Sequence, residues 1–227
     1  MNNTKKIELT IPTTLADIPL YKFQKLQEVI KDCTDEVIIS TKLISILCDI
    51  PESVALGLNK NDYKSISQQL INILNSQSKW VQRFKIDNVE YGFIPNLDDM
   101  SFGEYVDLDT FIKNPDDMHK VMTILYRPII VDVFGKYRIA EYTGKEDYDI
   151  MKHASMNAVN GAMVFFYHLG NELLNHIPNY LETEVNKAIQ SKQISESAGA
   201  GIVQSTNLLM ETLDSLMKQQ NTIYTKL

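Results

Sequence analysis

Midway along the chain the spacing of apolar residues changes period, and this limits the possible folds more than any other feature. Trp80 to Ile86 and Val89 to Ile94 are short β-compatible runs joined by Asp87-Asn88, which predicts a hairpin. On the N-terminal side the spacing is helical. Leu20, Phe23, Leu26 and Ile30 form one apolar face of a helix that starts near Asp17 and Pro19. A second helix is expected over Glu36 to Cys48, with Val37, Leu43, Ile44 and Leu47 inward and Pro51 ending it. Pro51 to Leu58 reads as one helical turn closed near Gly57. Asn61 or Asp62 then caps a third helix lined by Tyr63, Ile66, Leu70 and Ile73. The alternation Ile7-Glu8-Leu9-Thr10-Ile11 predicts a first strand.

Beyond the hairpin, Ser101 and Glu104 have capping-box spacing, so a helix is expected from there to Asn114-Pro115. Phe93, Leu97, Phe102 and Tyr105 are expected to be mostly buried, packing the hairpin onto that helix. Asp116-Asp117 opens another helix, which reaches Tyr126 and ends at Pro128. Ile129 to Val133 and Tyr137 to Tyr142, either side of Gly135-Lys136, suit a second hairpin or extended arm. A helix from near Tyr148 to before Pro178 is apolar all round at Ala162 to Tyr167, the pattern of an enclosed central helix. A short helix follows over Asn179 to Gln190, and Ser195 to Gly201 reads as a connector. Leu209, Leu213, Leu216, Gln220, Ile223 and Leu227 then fall on a coiled-coil seam with one polar position. That seam either folds back on its own domain or packs against another copy or another protein, and the second use is favoured. The expected class is mainly α with small β elements, an α+β chain. A helical core with one or two β-hairpins occupies residues 1–190, a flexible connector 191–201, and an amphipathic C-terminal helix 202–227.

Charge and chemistry narrow the function by exclusion. The net charge of −7 opposes a general DNA-binding surface, and no sequence-specific nucleic-acid contact is expected. No apolar run approaches the ~20 residues of a membrane span, and the polar start is no signal-peptide core. The chain is expected to be made in the cytoplasm and to stay soluble. Cys33 and Cys48 lack CxxC spacing and read as reduced, buried residues. The acidic cluster Asp98, Asp99, Glu104, Asp107 and Asp109 lacks the ligand order of a calcium loop and suits the positive end of a helix dipole. His119, His153, His168 and His176 form no zinc-binding pair. There is no GxSxG elbow, P-loop or GxGxxG turn. A non-enzymatic chain without metal or cofactor is expected.

Several segments together resemble a family of virion-associated proteins of tailed bacteriophages, especially crAss-like gut phages. They are Ile11 to Leu20, Tyr91 to Leu97, Phe102 to Asp109, Met118 to Pro128 and Gly161 to Leu174. The resemblance covers much of the chain to about residue 177, and the tail after Ser191 carries none. It implies a structural or stored cargo protein near the portal and tail of the particle, in contact with other virion proteins and copies of itself. Gly103-Glu104-Tyr105 is also similar to a segment of tail-assembly chaperones, which implies the alternative of an assembly factor absent from the mature particle. Neither resemblance implies catalytic residues.

Overall fold

The computed structural model describes residues 9–166, apart from the Asp98 side chain. In the N-terminal half three helical elements begin where a side-chain oxygen meets free backbone N–H groups, and two others follow a proline with no side-chain cap. A 3-10 turn, Leu15–Asp17, is closed by a capping box in which the Thr13 and Thr14 N–H groups each donate to Asp17 Oδ2 at 2.9 Å. Helix α1 follows separately, at Leu20–Ile30 after Pro19. Asp35 Oδ1 accepts from the N–H groups of Val37 and Ile38 and starts α2, Glu36–Leu47. The short α3, Glu52–Leu56, closes at Gly57 as expected. Asn59, rather than Asn61 or Asp62, caps α4, Lys60–Leu74, because its side chain reaches the Asn61 and Asp62 N–H groups. Leu26, Leu43, Ile44, Leu47 and Leu70 are fully buried where these helices meet. Val37 points out to solvent and not inward, since its turn lies on the outer side of α2. Residues 9–11 belong to no strand.

The change of period builds a four-stranded antiparallel sheet in the order β1-β2-β3-β4, namely Arg83–Ile86, Val89–Phe93, Tyr126–Val133 and Lys136–Ile139. Asp87, at φ +51°, turns the first hairpin. Between the hairpins lie α5, Phe102–Phe111, and α6, Met118–Leu125. The expected stop at Pro128 is displaced: α6 ends at Leu125, and the chain enters β3 with no loop between. Pro128 sits inside β3 opposite Tyr91 and needs no donor there. Its carbonyl accepts from Ala140 N at 2.9 Å, and the ladder shifts register just beyond it, between Ile129 and Val131.

Helix α6 is the most enclosed element, with Val121, Met122, Ile124 and Leu125 wholly out of water. The helix expected from Tyr148 begins later. Residues Tyr148–His153 form a 3-10 turn against α6, and a bridge between Pro19 and Ser155 fixes the exit from it. Leu20 N donates to Ala154 O, and Met156 N to Ile18 O, each at 2.8 Å. Helical residues 156–166, here α7, follow. Ala162 and Met163 are buried, but Val164, Phe165 and Phe166 are only half-buried, so this stretch is less enclosed than its composition predicts. Gly161 lets α7 approach the 79–80 backbone, because a Cβ there would lie 2.4 Å from Lys79 O. Phe93 joins the two halves through edge contacts with Trp80, Tyr126 and Phe165.

The chain is thus mainly α with a small antiparallel sheet, as its sequence predicts. No helix among the described residues is long and apolar enough to cross a membrane. The expected strand at residues 7–8, the C-terminal course of the helix past 166, the helix 179–190, the connector 191–201 and the amphipathic segment 202–227 lie outside the described residues.

Candidate functional site

Helix α5 is anchored from beneath by a charge. Ser101 N donates to Glu104 Oε2 at 2.6 Å and Glu104 N donates to Ser101 Oγ, which completes the expected capping box. The same Glu104 carboxylate meets Arg127 of β3, Oε1 to NH2 at 2.6 Å, with both side chains at least nine-tenths buried. That inward carboxylate sets the rotation of the helix. Glu104, Leu108 and Ile112 face the core, so Phe102, Tyr105 and Val106 face solvent. The expectation for Phe102 and Tyr105 is therefore overturned, since they are 81% and 55% exposed. Phe93 is buried and Leu97 half-buried. The segment has two apolar faces at helical spacing, and the Arg127 pairing decides which one is covered. Within Phe102–Phe111 there are three carboxylates and no lysine or arginine.

The second exposed surface is the distal half of the β3-β4 hairpin. Ile130, Val131, Val133 and Phe134 are all exposed. The register sets Val131 opposite Arg138 and Val133 opposite Lys136, which gives one face of two valines and two cations. The other face is held to the body of the protein. Tyr137 OH donates to Phe93 O at 2.7 Å, and the Tyr137 ring fills the space above Gly92 where a Cβ would lie 2.4 Å from it. Arg83 stacks over that ring at 4.4 Å, pairs with Asp132 at 2.5 Å and donates to Gly135 O at 2.9 Å. The Arg83 hydrogen bond also holds the Asp132 carboxyl below its usual range. At the tip Phe134 and Gly135 have φ of +51° and +82°. Glycine adopts this freely, but a phenylalanine is strained there by roughly 1–2 kcal/mol. Phe134 is also fully exposed. Both features disfavour it as a contributor to folding.

Several other chemistry-bearing groups have local partners. Tyr142 OH donates to Asp107 Oδ2 at 2.7 Å and stands 3.2 Å from Tyr148 OH, tying α5 to the chain after β4. Asp109 pairs with Lys113, and Asp117 with Lys120. Among the described residues no group of three or more His, Cys, Asp or Glu is placed to hold a metal. His119 is buried in α6 with Nδ1 unpartnered, and burial pulls its pKa below the ordinary value. His153 meets the Tyr21 ring edge-on. Cys48 is buried, and desolvation pushes its thiol up to about 11, so it stays protonated at neutral pH. Cys33 is half-buried and free. Thr13, Thr14 and the polar side of α4 line an open groove of about 770 Å³. Lys22, Lys25, Tyr21 and Asp49 border a cleft of about 260 Å³ in which Lys22 is already paired to Asp49.

Leu209, Leu213, Leu216, Gln220, Ile223 and Leu227, the partner-binding residues expected from sequence, lie outside the described residues, as do His168 and His176. The α5 stripe and the hairpin arm were not singled out as contact surfaces by sequence reasoning. The signal for α5 was the presence of two apolar faces around one carboxylate. The signal for the arm was a run of β-branched residues with no polar alternation, ending in Phe-Gly. Comparisons with protein-family models, with curated proteins and with solved structures return no match.

Proposed function

We propose that this chain is a non-enzymatic structural or stored component of a tailed-bacteriophage particle, seated in its portal or tail region and held by protein–protein contacts. The observation that carries the reading is the placement of its exposed apolar groups. Phe102, Tyr105 and Val106 on α5, with Ile130, Val131, Val133 and Phe134 on the arm, gather in two places that the fold itself does not need. The segments that resemble phage virion proteins supply β2, α5, α6 and the start of β3, the elements that carry and brace the α5 face. The seam from Leu209 to Leu227 belongs to the same reading as a further contact. Deleting residues 202–227 is expected to reduce assembly while leaving the melting temperature unchanged.

Mass spectrometry of purified, nuclease-treated particles tests the assignment. Recovery in proportion to known structural proteins supports a virion component. Abundance in infected cells with absence from particles would replace it with a tail-assembly chaperone.

A further inference from the structure

The two exposed surfaces have opposite charge. The α5 face presents Phe102, Tyr105 and Val106, and the acids around it, Asp99, Asp107 and Asp109, outnumber Lys113, the cation that pairs with Asp109. The arm presents Val131, Val133 and Phe134 beside Lys136 and Arg138. Each is apolar at its centre and charged at its margin, the make-up of a contact patch in which the apolar part supplies affinity and the charges set orientation. The two patches are also mounted rigidly: α5 by the buried Glu104–Arg127 pair, the arm by Tyr137, Arg83 and Asp132.

We infer that the β3-β4 arm of one copy docks on the α5 face of a second copy, with Phe134 set among Phe102, Tyr105 and Val106 and with Lys136 and Arg138 toward the acidic margin at Asp99 and Asp107. The inference rests on the reading of the chain as an assembly component and names one of its partners. Because arm and face are different surfaces, the contact is either exchanged reciprocally in a two-fold dimer or repeated head-to-tail, which builds a ring where the rotation closes. It also accounts for a phenylalanine at a left-handed turn position. An aromatic group at the tip of a braced hairpin reaches an apolar face that asparagine, the residue favoured by the turn, would not cover.

Charge reversal in the full 227-residue chain tests this, because a contact between two different surfaces is broken in each of two variants and restored by mixing them. One variant carries Lys136→Glu and Arg138→Glu, giving an acidic arm beside the native acidic face. The other carries Phe102→Lys and Tyr105→Lys, giving a basic face beside the native basic arm. All four positions are exposed, so both variants should melt like the wild type. Sedimentation velocity is expected to show self-association of the wild type, weakened ~10-fold or more in either variant alone and restored in a 1:1 mixture. Phe134→Ser should weaken association by a similar factor without altering the fold. A wild type that stays monomeric at ~100 µM, variants that associate normally, or a mixture no larger than its components would overturn the inference. A chain that is recovered in particles yet fails these tests would leave the virion assignment standing and remove only the self-contact.

Discussion

Glu104 closes the first turn of α5 with one carboxylate oxygen and meets Arg127 in the interior with the other, so a capping residue also decides which side of the helix is wet. Breaking that pair leaves a buried charge alone. Arg127→Met is expected to destabilise the protein by ~3–5 kcal/mol in denaturant titration. Phe102→Ser, two residues from Glu104 but exposed, should change stability by no more than ~0.5 kcal/mol. If the two variants cost the same, the rotation of α5 described above is incorrect. His119 gives a pH signature. Burial, then Lys152 and Lys120, disfavour its protonated form, while Asp149 and Asp117 favour it, and the balance lowers its pKa. Below the ordinary value of 6.5 the unfolded chain therefore binds a proton that the folded chain resists, and stability falls as pH drops through that window. In His119→Gln the change in melting temperature between pH ~7 and ~5.5 should be smaller than in the wild type. The carboxylates with lowered pKa, such as Asp117 and Asp149, act in both proteins only at lower pH.

At the scale of elements, the helices and hairpins were legible wherever a local signal sufficed: capping residues, Pro51, the Asp87-Asn88 turn, the Ser101–Glu104 box. Errors appeared where tertiary pairing overrode a local rule. Pro128 reads as a helix stop, yet it occupies a strand because the register there requires no donor from it. The apolar run at 162–166 reads as the enclosed helix, but α6 holds that place, since sheet, α5 and the Tyr148–His153 turn all close on it. Phe102 and Tyr105 read as core because hydrophobicity does not say which of two faces is covered. The fold class was thus readable from period alone, whereas the candidate surfaces depended on a charge pair between residues 23 positions apart in sequence. Helix–backbone contact can be tested at Gly161. Alanine there must displace α7 from the Lys79 carbonyl, and a loss of ~1–3 kcal/mol is expected. Ser101→Ala should cost about 1 kcal/mol through the lost cap.

For the whole molecule, the described core is continuous from Leu15 to Met163, and the arm and the α5 stripe stand outside it. Two surfaces that add little to folding are the places where substitution should separate stability from assembly. For the proposed virion role, the direct measurement is incorporation of a full-length Phe102→Ser, Tyr105→Ser, Phe134→Ser protein into particles, supplied in trans to a phage from which the chain has been deleted. The protein is expected to melt within about 4 °C of the wild type and to be lost from purified particles by quantitative mass spectrometry. Incorporation at the wild-type level with an unchanged melting temperature would contradict the account, because the exposed apolar groups would then serve no contact in the assembly.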